Sequence, residues 1–192
     1  MKKIILIGAG GHSKSCIEVM NQTKKYEIQY ILDKKSEGIF LGYKKIIYNK
    51  KFLAKLQKKI KYAFICFGQI KNKIVREKTF EDLRNIGFQF PSIKSKSAYI
   101  SKASQISDGT IVMNGCVINT DVKIGYNNII NTSSIIEHDV SIGNHNHIAP
   151  GAIINGGVEI GNNCFIGSGS VIKQGIKIKS NSFIQAGKII LK

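Results

Sequence analysis

The sequence predicts two structural parts, an α/β domain of alternating strands and helices followed by a parallel β-helix of six-residue repeats. The main observation is that an isoleucine, or in one case a valine, stands at every sixth residue from Ile100 to Ile190. An α-helix repeats every 3.6 residues and a strand every two, so neither element produces this period. A hexapeptide period is typical of a parallel β-helix, whose short strands stack from one turn of the coil to the next.

A second set of positions supports the β-helix. Two residues before most of the repeated isoleucines stands a small or short residue, such as Ser134, Ala152 or Cys164. We expect both positions to face the inside of a narrow coil. Glycine and asparagine cluster where the chain must turn, for example at Gly125 and Asn144, because both residues adopt positive φ at low cost.

Residues 1–96 alternate between apolar strand patterns and helical patterns. This order is typical of a doubly wound α/β unit. We therefore assign residues 1–96 to a Rossmann-like domain and residues 97–192 to the β-helix. The predicted strands cover residues 4–7, 26–32, 45–48, 62–67 and 88–90, and the predicted helices run from the first glycine-rich turn to residue 20, over 51–59 and over 72–86.

The turn after the first strand matches part of a dinucleotide-binding fingerprint. Gly8 and Gly10 fit the first two glycines, but the third position holds Ser13. Backbone N–H groups between a strand and a helix can hold a phosphate, and Asp33, at the end of the second strand, could bind a ribose or a base edge. Tight packing is the alternative explanation of this turn. The short domain favours a mononucleotide or a nucleotide-sugar, and nothing after Gly68 supplies the nicotinamide pocket of a dehydrogenase.

The net charge is +17, and residues 1–96 carry +15 of it. The basic residues are 27 lysines and only two arginines, whereas nucleic-acid binders usually add arginine and aromatic side chains for base contact. We expect no nucleic-acid partner. The lysines either form a solvated surface or attract an anionic small molecule such as a nucleotide diphosphate. No run of eighteen apolar residues occurs, so we expect no transmembrane helix and no membrane partner.

The four cysteines show neither a CxxC pair nor the spacing of a metal site. They fit the reduced thiols of a cytoplasmic protein. Cys116 and Cys164 fall in the small, inward-facing positions, so a cysteine nucleophile is disfavoured.

Three of the four histidines lie close together, in Glu137-His138-Asp139 and at His145 and His147. A histidine beside a carboxylate suits a general base, because its pKa lies near neutrality and the acid can fix the tautomer. Surface or structural roles remain the alternatives, most of all for His145. His138 and His147 are half an eighteen-residue turn apart and should point to different sides of one coil. Zinc needs more ligands than these, so we expect no metal.

Three segments together resemble a known family. These are GAGGHSK at residues 8–14, NTSSIIEHD at residues 131–139 and HIAPGA at residues 147–152. They look like the NeuD/PglD-type group of left-handed β-helix acyltransferases, which includes sialic-acid O-acetyltransferases and bacterial nucleotide-amino-sugar N-acetyltransferases. The resemblance covers essentially the whole chain. The hexapeptide period alone indicates only the superfamily, whereas the three segments are more specific.

The resemblance implies a homotrimer whose active sites lie between neighbouring coils, with acetyl-CoA as co-substrate in the groove. By motif position, it implies that His138 is the general base and Asp139 the carboxylate that orients it. Asn131 and His147 would line the acetyl or CoA end of the cleft. The residues that would hold a nucleotide-sugar are Gly8, Gly10, Gly11, His12, Asp33 and Gly68.

The function that follows is acetyl transfer from acetyl-CoA to the amine of a nucleotide-linked amino sugar in bacterial surface-glycan synthesis. The amine would attack the thioester directly, and backbone N–H groups at a coil corner could hold the oxyanion. O-acetylation of a sialic-acid-like sugar is the first alternative.

A catalytically idle binding or scaffold trimer is the second alternative. The family usually continues with a Val-Pro turn and a G-x-P-A-K tail, whereas this sequence ends at Gly187–Lys192. We expect this difference to weaken acetyl-CoA binding and to leave an open strand edge.

Overall fold

The computed structural model describes residues 1–69 and 73–192. Its contacts divide the chain into two units. The first unit contains Met1–Gly68 and Ile74–Pro91, and the second contains Ser92–Lys192, with Gln69 grouped with the coil. The coil unit thus begins five residues before the boundary that we assigned from the sequence. None of the helices in the described residues is long and apolar enough to cross a membrane.

In the described residues, the first unit is a mainly parallel sheet with three helices. The sheet order is β3-β4-β2-β1-β5, and every neighbouring pair is parallel except β3 with β4. The strands are β1 (Lys2–Ile7), β2 (Tyr26–Asp33), β3 (Gly38–Phe40), β4 (Tyr43–Ile47) and β5 (Tyr62–Ile65), and the helices are α1 (Gly11–Thr23), α2 (Lys50–Gln57) and α3 (Lys73–Ile86). The last four residues of β1 are almost fully buried, as expected for a central parallel strand covered on both faces.

The predicted α/β class is confirmed, with differences at the edges of the sheet. Strand β3 was not predicted, because three residues are too few to show a period. Leu41 and Gly42 turn the chain between β3 and β4 with φ of 49° and 81°. The predicted strand at residues 88–90 is wrong, since only Gln89 forms an isolated bridge, to Tyr62. Helix α3 begins at Lys73, and Asn72, where we predicted its start, lies outside the described residues.

The second unit is a coil with three faces, each a stack of two-residue parallel strands. The first face consists of Ile93–Lys94, Ile111–Val112, Ile129–Ile130, His147–Ile148, Phe165–Ile166 and Phe183–Ile184. The second consists of Tyr99–Ile100, Val117–Ile118, Ile135–Ile136, Ile153–Ile154, Val171–Ile172 and Ile189–Ile190. The third consists of Gln105–Ile106, Lys123–Ile124, Ser141–Ile142, Glu159–Ile160 and Lys177–Ile178.

The register confirms the predicted β-helix. Each strand pairs with the strand eighteen residues further along, so that Ile118, Ile136 and Ile154 stack in one column. All three are fully buried. On each face, the position two residues before the repeated isoleucine also faces inward, as at Asn128 before Ile130 and Asn146 before Ile148. There Asn128 and Asn146 form a buried polar ladder, in which Asn128 Oδ1 accepts a hydrogen bond from the Asn146 backbone N–H at 2.7 Å. This bond satisfies the Asn146 backbone N–H, which would otherwise be costly inside the coil.

The three faces differ in their outward-pointing residues. On the first face these residues are buried from Ile93 to Phe165. On the third face all of them are polar or charged and exposed, and Lys177 forms an ion pair with Glu159 at 2.9 Å. The second face has apolar outward residues that are half-buried or exposed, namely Tyr99, Val117, Ile135, Ile153, Val171 and Ile189.

Candidate active site

His138 lies at the corner of the coil that follows the strand Ile135–Ile136. Its Nδ1 atom is 2.8 Å from Oδ2 of Asp139, which has φ of 61° in the left-handed region. Because a carboxylate can only accept, Nδ1–H donates and the neutral ring keeps its lone pair on Nε2. The structure thus brings together the predicted base and the predicted orienting carboxylate.

Glu137 is held by a different residue. The amide of Asn119, one turn earlier in the coil, donates a hydrogen bond of 2.7 Å from Nδ2 to Glu137 Oε2. This contact engages Glu137, and the carboxylate on the ring of His138 is that of Asp139.

Gly156 lies against the imidazole of His138, one full turn of eighteen residues later. A Cβ atom at Gly156 would stand only 2.6 Å from both Cε1 and Nε2 of the ring. A side chain at this position would therefore displace the ring. Gly156 was not among the predicted site residues. The sequence nevertheless carried a signal for it, because a residue eighteen positions after His138 must stack beside it.

An open cavity of about 580 Å³ adjoins His138. Its walls come from the second face and from the corner that follows it. The lining residues are Glu137, His138, Asn155, Gly156, Val171, Lys173, Gln174, Ile189 and Leu191. The strand Ile189–Ile190, which pairs with Val171–Ile172, thus contributes to this wall. The cavity leaves space for a molecule beside the His138 side chain, and Lys173 adds a positive charge to the same wall.

Asn131 and His147 form a second cluster, on the first face. Nδ2 of Asn131 lies 3.0 Å from Nε2 of His147, and Nδ1 of His147 lies 2.8 Å from the backbone oxygen of Gln69. Since the carbonyl can only accept, Nδ1 carries the proton and Nε2 accepts from the asparagine amide. Asn131 Oδ1 accepts from the Thr132 N–H at 2.8 Å. This network fixes both side chains in one orientation.

Gln69 was not among the predicted residues, and its role depends on a contact distant in sequence. It is almost completely buried, and its side-chain Nε2 donates to the backbone oxygen of His145 at 2.7 Å. His145 is itself buried, with its ring Nδ1 2.9 Å from the amide of Asn127. These contacts indicate that His145 has a structural role.

The two clusters lie on different sides of the coil, as the half-turn spacing of His138 and His147 predicts. The described residues contain no group of three or more His, Cys, Asp or Glu side chains that could hold a metal ion.

The glycine-rich turn of the first unit links β1 to α1. Gly8 has φ of +104°, and a Cβ atom there would lie 3.2 Å from Phe67. Ser13, at the third fingerprint position, is fully buried, and its Oγ donates to the carbonyls of Gly8 at 2.8 Å and Cys66 at 3.1 Å. Ser13 therefore links the ends of β1 and β5 by side-chain hydrogen bonds. A glycine at this position would allow close packing but would form no such bonds.

Asp33 supports this turn. Its Oδ2 accepts from the Ala9 N–H at 2.8 Å and its Oδ1 from the Lys35 N–H at 3.0 Å. Burial raises the pKa of Asp33, but these two hydrogen bonds and the charges of Lys45 and Lys35 outweigh it, so the pKa lies below its usual value. Two of the roughly four acceptor positions of the carboxylate are thus used, and the others remain for a ligand.

The turn borders a cavity of about 590 Å³ within the first unit. Of the predicted substrate residues, Gly8, Gly10 and Asp33 line it, whereas Gly11, His12 and Gly68 are not among its lining residues. The apolar part of the wall includes Ile7, Phe67, Ile74 and Val75, and four lysines contribute to the lining, namely Lys34, Lys35, Lys50 and Lys78. Asp82, also in the wall, pairs with Lys50 at 2.8 Å.

Comparison with known proteins matches both units. Residues 3–83 match the model of the PglD N-terminal domain, and residues 157–192 match that of the hexapeptide repeat of succinyl-transferase. The chain is an acyltransferase that resembles the PglD-type left-handed β-helix acyltransferases in both units. The predicted family and the predicted left-handed coil of this acyltransferase are thereby confirmed.

Solved structures similar to this acyltransferase include a histidine-to-asparagine mutant of perosamine N-acetyltransferase from Caulobacter crescentus, in complex with CoA and GDP-perosamine. That structure is 27% identical, with a TM-score of 0.93, over 100% of this chain and 90% of that one. The acetyltransferase domain of PglB from Neisseria gonorrhoeae, in complex with acetyl coenzyme A, is 28% identical with a TM-score of 0.90, over 98% and 92% of the chains. WeeI from Acinetobacter baumannii shares the fold at 23% identity and a TM-score of 0.76, over 100% and 97%. The comparison with curated proteins finds no match.

Proposed function

We propose that this acyltransferase moves the acetyl group of acetyl-CoA to the amine of a nucleotide-linked amino sugar. The observation that carries the proposal is the His138–Asp139 pair, whose ring reaches an open cavity. The similarity to a perosamine N-acetyltransferase that binds CoA and GDP-perosamine supports the choice of both substrates.

The cavity of the first unit is the proposed nucleotide site. Gly8 and Gly10 place a turn at the start of α1, where the positive end of the helix dipole favours a phosphate. The lysines of the wall add positive charge around the same space. A nucleoside diphosphate offers two negative phosphates to this turn, and its base can pack on apolar residues such as Phe67.

His138 is the proposed general base. The neutral amine attacks the carbonyl carbon of the thioester, and Nε2 of His138 accepts the proton of the amine as the C–N bond forms. Asp139 stabilises the resulting imidazolium through Nδ1. When the C–S bond breaks, the sulfur of CoA leaves and takes the proton from Nε2 of His138. A general base of this kind contributes about 10²–10⁴-fold to the rate.

Asn131 and His147 are proposed to line the acetyl-CoA end of the cleft. Both are held in one orientation by Gln69 and Thr132, and a preorganised polar pair is suited to fix a bound thioester. Because they lie on the first face and His138 lies after the second, we place the complete site between two copies of the chain.

A homotrimer is the proposed assembly. The outward residues of the second face are apolar and not fully covered, whereas those of the third face are polar and exposed. Exposed apolar stripes of this kind mark interfaces, and this stripe runs beside His138. We place the reaction in the cytoplasm, where the four free cysteines stay reduced.

The test measures release of free CoA thiol from acetyl-CoA with a panel of acceptors. The panel contains UDP- and GDP-linked amino sugars, the same sugars without nucleotide, and a free sialic acid. Turnover confined to the nucleotide-linked amines is the expected result. Turnover with the free sialic acid would instead assign O-acetylation, and no turnover with any acceptor in a folded trimer would favour a binding or scaffold role.

A further inference from the structure

The ion pair between Lys50 and Asp82 lies in the wall of the nucleotide cavity, away from the glycine-rich turn. Lys50 is the first residue of α2, and Asp82 lies near the end of α3. The Nζ atom of Lys50 is 2.8 Å from Oδ2 of Asp82, and both residues line the cavity. One part of the wall thus presents a charged hydrogen-bond donor and a charged acceptor side by side.

Stability is a poor explanation of this pair. The Lys50 side chain is 61% exposed and that of Asp82 is 28% exposed, and ion pairs as open as this one contribute little to folding. The pair uses one of the three N–H donors of the ammonium group and one of the roughly four acceptor positions of the carboxylate. Both side chains therefore keep hydrogen-bonding capacity for a molecule in the cavity.

The pair lies where we expect the base of a bound nucleotide. The glycine-rich turn follows β1, Asp33 is the last residue of β2, and Lys50 comes shortly after β4. The strands β1, β2 and β4 are parallel neighbours in this order. Because neighbouring strands are about 4.8 Å apart, the turn and the start of α2 are separated by roughly 10 Å along one edge of the sheet. With the diphosphate at the turn, the ribose and the base span this separation.

The hydrogen-bonding groups of the pair match guanine. An ammonium group only donates and a carboxylate only accepts. Guanine presents the carbonyl oxygen O6 and, next to it, the two donors N1–H and N2–H. O6 is a good acceptor for lysine, and the two donors match the two oxygens of one carboxylate. Guanine therefore satisfies the ammonium and both carboxylate oxygens at once.

The other bases match the pair less well. Uracil has a single donor, N3–H, between two carbonyl oxygens, so one oxygen of Asp82 would face a carbonyl oxygen and be repelled. Adenine and cytosine have one amino group beside a ring nitrogen that only accepts, so Asp82 would receive one hydrogen bond instead of two. A polar group that binding leaves unsatisfied costs affinity.

We propose that Lys50 and Asp82 read the base of the nucleotide-sugar and select guanine, so that the sugar substrate is GDP-linked. Because it rests on the proposed function, this selection concerns the same nucleotide site. Nζ of Lys50 donates to O6, and the carboxylate of Asp82 accepts from N1–H and N2–H. The faces of the base pack on apolar side chains of the cavity wall, such as Phe67 and Val75.

The test measures the affinity of the wild type for GDP, UDP, ADP and CDP by isothermal titration calorimetry, without acetyl-CoA. We expect GDP to bind about 10- to 100-fold more tightly than UDP, since a good bidentate contact discriminates between bases by this order of magnitude. ADP and CDP should also bind more weakly than GDP. Equal affinities for GDP and UDP, or a preference for UDP, would overturn the selection of guanine.

Asp82→Asn changes the groups that face the base. Asparagine has nearly the size of aspartate but replaces one acceptor by an amino donor, which suits a carbonyl of uracil and opposes a donor of guanine. The ratio of GDP affinity to UDP affinity should therefore fall about tenfold. The ratio is measured because the lost negative charge affects all nucleoside diphosphates alike. A folded Asp82→Asn variant with the wild-type ratio would contradict a contact between Asp82 and the base.

Glu81→Gln is the matched control for this variant. Glu81 precedes Asp82 in α3, is exposed and is not among the residues that line the cavity. The substitution removes the same charge and should leave the ratio unchanged. An equal fall of the ratio in both variants would show that it follows the net charge, and would overturn the reading of the base by Asp82.

Lys50→Met tests the donor to O6. The variant should bind GDP about tenfold more weakly than the wild type, because O6 loses its hydrogen-bond donor. Lys51→Met is the control, since Lys51 is exposed in the same helix and does not line the cavity. Equal losses of GDP affinity in the two variants would assign the effect to general charge and contradict a contact between Lys50 and the base.

Binding and turnover together distinguish this selection from the proposed function. Selective binding of GDP by a protein that transfers no acetyl group would refute the proposed function and leave the reading of guanine standing. Acetyl transfer to UDP- and GDP-linked amines with equal kcat/KM would refute the reading of guanine and leave the proposed function standing. Absence of binding for all four diphosphates would refute the nucleotide site itself, and the selection of guanine with it.

Discussion

The imidazole of His138 rests against Gly156, and the two residues are separated by one complete turn of the coil. A Cβ atom at Gly156 would approach Cε1 and Nε2 of the ring to 2.6 Å. With Asp139 2.8 Å from Nδ1 on the other side, the ring is held between a carboxylate and a residue without a side chain. Residues from two successive turns of the coil thus fix the orientation of the proposed base.

Gly156→Ala should lower kcat by up to about 100-fold, since a displacement of a reacting group by about 1 Å costs that much. Gly156 does not have positive φ, so the added methyl group acts on the ring and not on the backbone. Steady-state kinetics together with thermal unfolding measure the two effects separately.

Gly157→Ala is the matched control at the next residue. Gly157 has φ of +65° and no atom within 4 Å of an added Cβ. Its replacement should cost about 1–2 kcal/mol of stability through the left-handed backbone and leave kcat nearly unchanged. A Gly156→Ala variant with wild-type kcat would show that the contact with His138 does not matter for catalysis.

His138→Ala should lower kcat by about 10²–10⁴-fold, because the amine loses its proton acceptor, while the affinity for CoA stays the same. Turnover assays and calorimetric titration with CoA provide the two measurements. The control is His145→Ala. Because His145 is buried and hydrogen-bonded to Asn127, this variant should be less stable than the wild type. Equal losses of turnover and of CoA affinity in His138→Ala would identify His138 as a structural residue.

Ile153→Glu should convert the proposed trimer into a monomer, because the assembly would bury an unpaired charge on the second face. We expect a solution mass near 21.2 kDa instead of three times that value. Light scattering after size exclusion measures it, and activity should disappear with the trimer. Ser141→Glu, on the exposed third face, should remain trimeric and active. An active monomeric wild type would contradict the shared site.

The sequence was most informative where the structure repeats. The six-residue period predicted the coil and its inward columns, and the adjacent His138 and Asp139 were recognised because they meet within one corner. Gln69 was missed because it reaches His145 and His147 across more than seventy residues, a distance that no local pattern encodes. The buried position of Arg76 was missed for a similar reason, since a charged residue in an amphipathic helix normally indicates its exposed face.

The decisive measurement for the proposed acetyl transfer is identification of the product formed from acetyl-CoA and a nucleotide-linked amino sugar. Mass spectrometry and NMR of the purified nucleotide-sugar locate the added acetyl group. We expect one acetyl group in amide linkage to the sugar amine, and we expect the wild type to form this product and His138→Ala to form almost none. An acetyl ester on a sugar hydroxyl, or equal product from the wild type and His138→Ala, would contradict it.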